Sequence, residues 1–366
     1  MPIFMDVHIV PGVKAKDVAE AHLLDLRIQH EHGCNCMTYW IDEARETIFC
    51  LVEAPDKHAV EEMHSKAHGL IPNKVMEVDG NLVDAFLGRI YDPQDAQVTS
   101  DGLKVFAEGG FRILLVTKAT DQVLLKHQFG NEKAGELLGA CTSIIRKNIL
   151  EHCGREVEHE GGGFVVSFSS ASKAVACALS IRQEMPAPIS EQIDLKLAIN
   201  AGEPVERSDH LFGETIQFAS NMCAIAKKGK IAITSAVKEL MADDIFQKER
   251  GHFLNLLPQD EHLLKLLFNK LEDNWQDADF DITDYCKATA MSGSQLYRKT
   301  VALTSLPPNS LVKDFRLQKA KELMRKHYYN IAQITFDSGF TSASYFTKCF
   351  KKKYGLLPMT YLGLLH

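Results

Sequence analysis

No stretch of 18 consecutive apolar residues occurs in this chain of 366 residues, which excludes a membrane-spanning helix. No basic segment followed by an apolar one opens it either. Asp6, Lys14, Lys16, Asp17 and Glu20 interrupt the N-terminus, so a secretory signal is not expected. No CxxC pair is present, and the nine cysteines are an odd number scattered without the regular spacing of a disulfide framework. Reduced thiols in a cytoplasmic protein are the expectation. Cys34 and Cys36, one residue apart, are either metal or redox residues or ordinary residues at the start of a strand. No segment repeats at a fixed period of about 20–50 residues, which excludes a solenoid. At 45% hydrophobic and 24% charged residues the composition is that of a globular protein, neither disordered nor collagen-like. The length allows two or three domains.

Positive charge is also in deficit, with a net charge of −7. That would argue against a nucleic-acid partner if the charge were evenly spread. It is not. From Tyr285 to the C-terminus there are 13 Lys and Arg against 3 Asp and Glu, whereas the preceding residues carry 28 against 45. A basic block on an acidic body implies one part made for a polyanion and another with different work.

Residues 1–80 alternate strand and helix patterns. Pro2–Val10 alternates by two, with Ile3, Met5, Val7 and Ile9 on one face and Phe4, Asp6 and His8 on the other. Lys16–His32 is helical, Met37–Ile41 and Thr47–Glu53 are strands, Asp56–His68 is helical with Asp56 as N-cap and Gly69 as stop, and Lys74–Val78 is a strand. The order βαββαβ predicts a ferredoxin-like α+β sandwich. A connector is expected at Asp92-Pro93-Gln94-Asp95 and Ser100-Asp101-Gly102. Arg112–Val116, Glu156–His159, Phe164–Ser169, Leu195–Ala201 and Lys230–Thr234 then read as strands. They alternate with helices at Glu132–His152, Ala171–Met185 and Thr215–Ala226, a second βαββαβ core. From Glu261 onward the pattern is helical, with Leu263, Leu266, Leu267 and Leu271 on one stripe. The fold class is thus multidomain, with a ferredoxin-like domain at 1–90, an α/β domain with a ferredoxin-like core at 109–242 and an all-α domain at 260–366.

Two helix-turn-helix units are legible in the basic block. Ile282–Ala290 leads to Ser294–Leu303, and Ile331–Asp337 leads to Ser342–Tyr354. Such units place the second helix in the major groove. Arg298 and Lys299 lie on one reading helix and Lys348 and Lys351–Lys353 on the other, where Lys351–Lys353 are each expected to neutralise a phosphate. The linear order Phe280, Ile282, Asp284, Cys286, then Met291-Ser292, Ser294, Leu296, Arg298-Lys299, then Phe315-Arg316-Leu317, Ala320 and Leu323, then Ile331, Gly339-Phe340, Tyr345-Phe346, Phe350-Lys351, Gly355 and Pro358 resembles the AraC-type DNA-binding domain. The resemblance covers about the last 90 residues. It implies sequence-specific binding of double-stranded DNA, with Ser294, Tyr297 and Arg298 at bases from the first reading helix and Ser344, Tyr345 and Lys348 from the second. Thr335, Leu357 and Leu362 depart from the family pattern, standing where Ala, Ser and Arg are common.

In the middle, Gly154-Arg155-Glu156-Val157, Gly161-Gly162-Gly163-Phe164, Ala201-Gly202-Glu203-Pro204-Val205, Leu211-Phe212-Gly213 and Ala219 resemble the class III nucleotidyl cyclase catalytic domain over about 110–240. The resemblance implies two metal-binding aspartates, a transition-state Asn and Arg, and a purine-selecting Lys. Two-metal phosphoryl chemistry needs those carboxylates. This chain has Lys118, Gly162, Gln217, Asn221 and Glu158 at those positions, with Asp121 as a substitute carboxylate only if the alignment slips. A catalytically inactive domain is expected, so no enzyme and no required nucleotide. Its role is dimerisation or signal relay, or a retained ligand pocket. Head-to-tail pairing in that family implies a homodimer.

The first domain is rich in histidine. Asp6 and His8 share a strand face, His22 and Asp25 are three apart on one helix, and His64 and His68 are four apart on another. An i, i+4 histidine pair is a sound start for Ni²⁺, Zn²⁺ or Cu²⁺, with His8 as a further ligand. Met5-Asp6, His8, Ala21-His22, Asp25-Leu26, Tyr39-Trp40, Asp42-Glu43, Phe49-Cys50-Leu51-Val52-Glu53-Ala54-Pro55 and His64 through Pro72 resemble a small ferredoxin-like family described as nickel-binding, over residues 2–79. The implied ligands are His8, His22, His64 and His68, for nickel or another divalent transition metal. The combined expectation is a DNA-binding transcription regulator responding to a metal or small-molecule effector. Its rivals are an enzyme with residual cyclase or metal-dependent activity, and a metal-buffering protein.

Overall fold

The computed structural model describes all residues except 101–102, 161, 327–329 and 366, so Asp101, Gly102 and Gly161 lie outside the described residues. The N-terminal sheet is built from β1 (Ile3–Ile9), β2 (Asn35–Asp42), β3 (Thr47–Glu53) and β4 (Lys74–Val78), with helices α1 (Ala15–Ile28) and α2 (Lys57–Ala67). Its order is β2-β3-β1-β4, and every pairing is antiparallel. The period-two alternation sorts the strands. Met5, Leu51 and Met76 are cross-strand partners on one face, while Phe4 and Val52 face α1 and α2 together with Val18, Val60 and Met63.

Asp56 accepts a hydrogen bond from the Ala59 amide at 2.9 Å and so caps α2, and Gly69 ends that region at φ +80°. Asp56→Ala is expected to cost about 1 kcal/mol, read by thermal unfolding of the N-terminal domain. A further helix, α3 (Gly80–Leu87), follows β4. It was not apparent from sequence, because eight residues barely sustain an isolated helix and the burial of Val83, Phe86 and Leu87 stabilises it here. The expected connector is not a free linker. It contains the small hairpin β5 (Gln97–Val98) and β6 (Lys104–Val105), and it lies back on the first sheet. There the Ile41 amide donates to the Glu108 carbonyl at 3.0 Å and Phe106 stacks on Tyr39 at 4.1 Å.

The middle region comprises β7 (Arg112–Lys118), α4 (Gln122–Phe129), α5 (Asn131–Glu151), β8 (Arg155–Glu160), β9 (Gly163–Phe168), α6 (Ala171–Glu184), α7 (Ala187–Ser190) and β10 (Lys196–Gly202). It continues through α8 (Gly213–Ile225), β11 (Ile231–Ile233), α9 (Ser235–Leu240), α10 (Asp243–Glu249) and β12 (Phe253–Asn255). The sheet order is β12-β11-β10-β7-β9-β8, in which β10-β7-β9-β8 repeats the order of the first sheet. One face buries Ile113, Leu115 and Phe168 under α5 and α6. The other face, with Leu114, Val116, Val165 and Ala198, shares a core with α8, α3 and Met5, Leu51 and Met76 of the first sheet. The two sheets therefore meet through the faces that lack α1, α2, α5 and α6, and this face of the middle sheet is not free to receive a second copy. Arg112 seals the junction, donating to the Phe86, Leu87 and Gly109 carbonyls at 3.2, 3.0 and 2.6 Å.

The C-terminal region is all helical: α11 (Pro258–Asn274), α12 (Ile282–Thr289), α13 (Gly293–Thr304), α14 (Pro308–Lys326), α15 (Ile331–Asp337), α16 (Ala343–Tyr354) and α17 (Pro358–Gly363). The leucine stripe of α11 buries Leu263, Leu267 and Leu271, with Leu266 half-buried at its margin. The surplus of acid in the first two regions favours a DNA-binding module whose basic helices stand clear of residues 110–240. Arg298 and Lys348 are exposed as that requires, while Tyr285 and Leu296 join the core shared by α11, α8 and both sheets. Basic residues of the scaffold meet acidic ones locally, as Lys319 does Glu272 at 2.8 Å. Apolar burial and these short-range pairs outweigh a net repulsion that solvent screens.

Candidate metal centre and nucleic-acid interface

Two donor groups lie beneath α1 and α2. Asp6, His8, Cys50 and His64 each offer one ligand atom within 4.8 Å of the others, and Asp25, His64 and His68 form a second group sharing His64. The fold explains the convergence. Asp6 on β1 is the cross-strand partner of Cys50 on β3, and His8 follows two residues on, on the same face. His64 is four residues after Val60, so the packing of Val60 on the sheet carries the imidazole inward. Asp25 is seven after Val18, on the buried stripe of α1.

His64 sits between two carboxylates, its Nε2 3.0 Å from Asp6 Oδ2 and its Nδ1 3.1 Å from Asp25 Oδ1. Both acids and His64 are nearly inaccessible, at 0%, 2% and 1% exposure. Burial disfavours the imidazolium, but Asp6 and Asp25 overcome it and push His64 up to about 10. Burial likewise opposes the charge on Asp6 and Asp25, and the histidines hold both below the usual carboxylate range. Burial and neighbouring Asp6 drive the Cys50 thiol well up.

The donor set fits a divalent transition metal. Asp6 Oδ1 is buried without a hydrogen-bond partner, 3.2 Å from His8 Nε2. Two imidazoles, a carboxylate and a thiol are ligands for a borderline-soft ion. His68 has a different position. The Leu70 amide donates to its Nδ1 at 3.3 Å, which leaves Nε2 as the protonated nitrogen facing Asp25 Oδ1 at 3.2 Å. In that tautomer His68 orients Asp25. His22 stands outside both groups. Its ring lies on Tyr39 at 5.2 Å and its Nε2 is 3.9 Å from Asp92 Oδ1, and burial, opposed by Asp92, lowers its pKa. Sequence spacing brought His8, His64 and His68 forward. Cys50 had no local signal, because its place depends on strand register.

The second helices of the two units, α13 and α16, are capped and exposed. Ser292 accepts from the Gln295 amide at 3.3 Å while Gln295 accepts from the Ser292 amide at 3.1 Å, and Ser342 accepts from the Tyr345 amide at 3.4 Å. Leu296 and Thr300 turn inward from α13, and Phe346, Cys349 and Phe350 from α16. That leaves Ser294, Tyr297 and Arg298, and Ser344, Tyr345, Lys348 and Lys351, on the outer faces in solvent. Among the described residues none of Arg298, Lys299, Lys348, Lys351 and Lys352 has an ion pair. Lys353 is the exception to the expected basic run. Its Nζ lies 3.0 Å from Asp314 Oδ2, and its ammonium is committed within the fold. Thr335 is accommodated in the core by donating to the Ile331 carbonyl at 2.7 Å, and Leu357 leaves α17 without a side-chain cap.

The middle sheet carries no equivalent donor group among the described residues. Gly162, in the β8–β9 turn, has φ +86°, and the Gln217 amide nitrogen donates to Glu272 at 3.0 Å. Asp121, the substitute carboxylate, caps α4 through the Val123 amide at 2.9 Å. Its other oxygen is occupied by Lys321, Arg325 and Tyr361.

Residues 285–363 match the family model described as "Helix-turn-helix domain". The chain carries an AraC-type helix-turn-helix domain. Residues 4–78 match a second family model, "Nickel responsive protein SCO4226-like", so the helix-turn-helix domain is joined to an SCO4226-like N-terminal domain. Among curated proteins, "Histidine kinase P4" of Formosa agariphila is 37% identical over 102 residues, which are 28% of this chain and 7% of that protein. "HTH-type transcriptional regulator MtrA" of Neisseria gonorrhoeae is 32% identical over 100 residues, 27% of this chain and 32% of that one. "Putative adenylate cyclase 3" of Rhizobium meliloti is 33% identical over 103 residues, 25% of this chain and 18% of that one. The chain thus spans less than a third of the length of each of these relatives. Among solved structures, SCO4226 from Streptomyces coelicolor A3(2) is 34% identical, covering 21% of this chain and 94% of that one, at a TM-score of 0.20. Among the described residues no helix is long and apolar enough to cross a membrane.

Proposed function

We propose that this chain is a sequence-specific, DNA-binding transcription regulator of the cytoplasm, with a metal-binding N-terminal unit at 1–90, an inactive cyclase-like unit at 109–242 and the DNA-reading unit at 260–366. The observation that carries the reading is the pair of capped helices α13 and α16. Both hold their apolar faces inward and leave Arg298 and Lys348 unpaired in solvent. DNA-site selection with the whole chain, with and without Ni²⁺, Zn²⁺ and nucleotides, tests DNA binding and effector together. Failure to enrich any site removes the reading. The mechanism is linkage: an effector that prefers one arrangement of the body shifts the population competent for DNA.

The proposed metal is nickel or a neighbouring divalent ion, held by Asp6, His8, Cys50 and His64, with Asp25 and His68 orienting His64. Thiolate ligation gives a charge-transfer absorption on titration with Ni²⁺ or Co²⁺. Cys50→Ser is expected to lose that band while retaining weaker binding; a band of unchanged intensity removes Cys50 from the ligand set. The emptied positions Lys118 and Gly162 support an inactive cyclase-like unit, and cyclic nucleotide appearing on incubation with ATP or GTP and Mg²⁺ or Mn²⁺ would reverse that. Homodimerisation is part of the proposal. It has to use a surface other than the covered sheet face, and sedimentation measures it.

A further inference from the structure

We propose that Asp121 is a positioning residue for DNA binding: it docks the second helix-turn-helix unit on the middle domain and thereby sets the reading helix α16. This rests on the reading of the chain as a DNA-binding protein. The Asp121 side chain is 5% exposed, and a single oxygen, Oδ2, receives Lys321 Nζ at 2.8 Å, Arg325 Nη2 at 2.8 Å and the Tyr361 hydroxyl at 2.9 Å. The other oxygen is held by the Val123 amide, so the carboxylate is fixed from both sides. Burial opposes its charge, and Lys321, Arg325 and Tyr361 keep it ionised below the usual carboxylate range.

Two of the three partners reach α16 directly. The Tyr361 ring packs edge-on against Phe350 with centroids 5.7 Å apart, and the Lys321 ammonium lies 4.6 Å from the centre of the Tyr354 ring. Phe350 and Tyr354 are the inward side of the helix whose outward side carries Ser344, Lys348 and Lys351. Val123, two residues beyond Asp121, enters the same apolar cluster as Phe346, Phe350 and Tyr361. The first unit is held differently, by the apolar core around Tyr285, Leu296 and Leu267. The two reading helices are thus tied to one body through separate contacts, and Asp121 belongs to only one of them. A change in the middle domain that moves Asp121 re-aims α16 while α13 stays where it is.

The test uses the full chain, the duplex obtained by site selection, and a duplex in which the half contacted by α16 is scrambled. Asp121→Asn is close in shape and removes the charge. If docking falls to about a tenth of molecules, affinity for the intact duplex falls about tenfold. Affinity for the scrambled duplex stays within about twofold, since α13 keeps its place. Tyr361→Phe, which deletes one hydrogen bond and keeps the ring, moves in the same direction by a smaller factor. Hydrogen exchange without DNA is the second measurement: Asp121→Asn speeds exchange in Ala343–Tyr354 and not in Gly293–Thr304. Unchanged affinity for the intact duplex, or equal loss on both duplexes, overturns the proposal. If the wild-type chain selects no DNA, the DNA-binding reading fails, and hydrogen exchange alone decides the docking role, with unchanged α16 exchange overturning it.

Discussion

Replacing Arg298 and Lys348 together with alanine is expected to weaken binding to the selected site by about a hundredfold or more. A good side-chain contact to a base edge is worth about 1–3 kcal/mol of discrimination, or roughly 5- to 150-fold each. The two residues sit on different helices, α13 and α16, with no shared partner, so their effects should add. Neither holds the fold together, because both are exposed and neither has an ion pair. The melting transition should therefore stay within about ±0.5 kcal/mol of wild type. Lys351→Ala provides the contrast. A phosphate contact weakens all sequences alike and its loss lowers the salt slope by about 1. Lys353→Ala should leave that slope alone, since its charge is already spent on Asp314. Binding of the double variant at wild-type strength would remove these helices as the reading elements.

His64→Ala in the metal-free protein is expected to cost about 3–5 kcal/mol, because it removes the cation shared by two buried carboxylates and leaves Asp6 only His8 and Asp25 only His68 as a partner. That is a large share of the 5–15 kcal/mol that holds an ordinary domain together. Buried Trp40 lies in the same domain, so its fluorescence reports the unfolding in chelator. The pH dependence follows from the signs. His64 is raised from 6.5 to about 10, so its stabilisation is complete below pH 6.5 and is lost as pH rises toward 10. Asp6 is depressed from 3.8, so its stabilisation is present above that value and is lost as the solution is acidified below it. The metal-free domain should be most stable between these limits. In His64→Ala the alkaline loss disappears and mild acid becomes stabilising, because burial then favours the neutral acids. An unaltered pH profile in the variant would show that His64 does not bridge the two acids. Bound metal should protect the wild type most at alkaline pH, where it replaces the missing proton.

Much of this architecture was legible in local patterns. Strand alternation at Phe4, Asp6 and His8 put the two future donors on one face of β1, and packing made that the helix-covered one. The N-cap at Asp56 marked the start of α2, and the turns before Ser294 and Ser342 placed the starts of α13 and α16 within a residue. The uneven charge separated the basic block from the acidic body, and the order of its motifs, through the resemblance they carry, marked two helix-turn-helix units there. Each of these is set by neighbours within a few residues, where backbone geometry and side-chain periodicity act directly.

Tertiary structure decided what depends on distant partners. Cys50 joins Asp6 only through the register of β3 against β1, and His22 leaves the donor groups because Asp92 and Tyr39 receive it. The helix α3 exists between two sheets that bury it, not in its own eight residues. In sequence Asp121 is a substitute carboxylate only if the alignment slips, whereas folding makes it the partner of Lys321 and Arg325, about two hundred residues away. A one-dimensional pattern records which side chains a segment can present. Which other segment receives them is set by the burial of surfaces that only the assembled chain brings together.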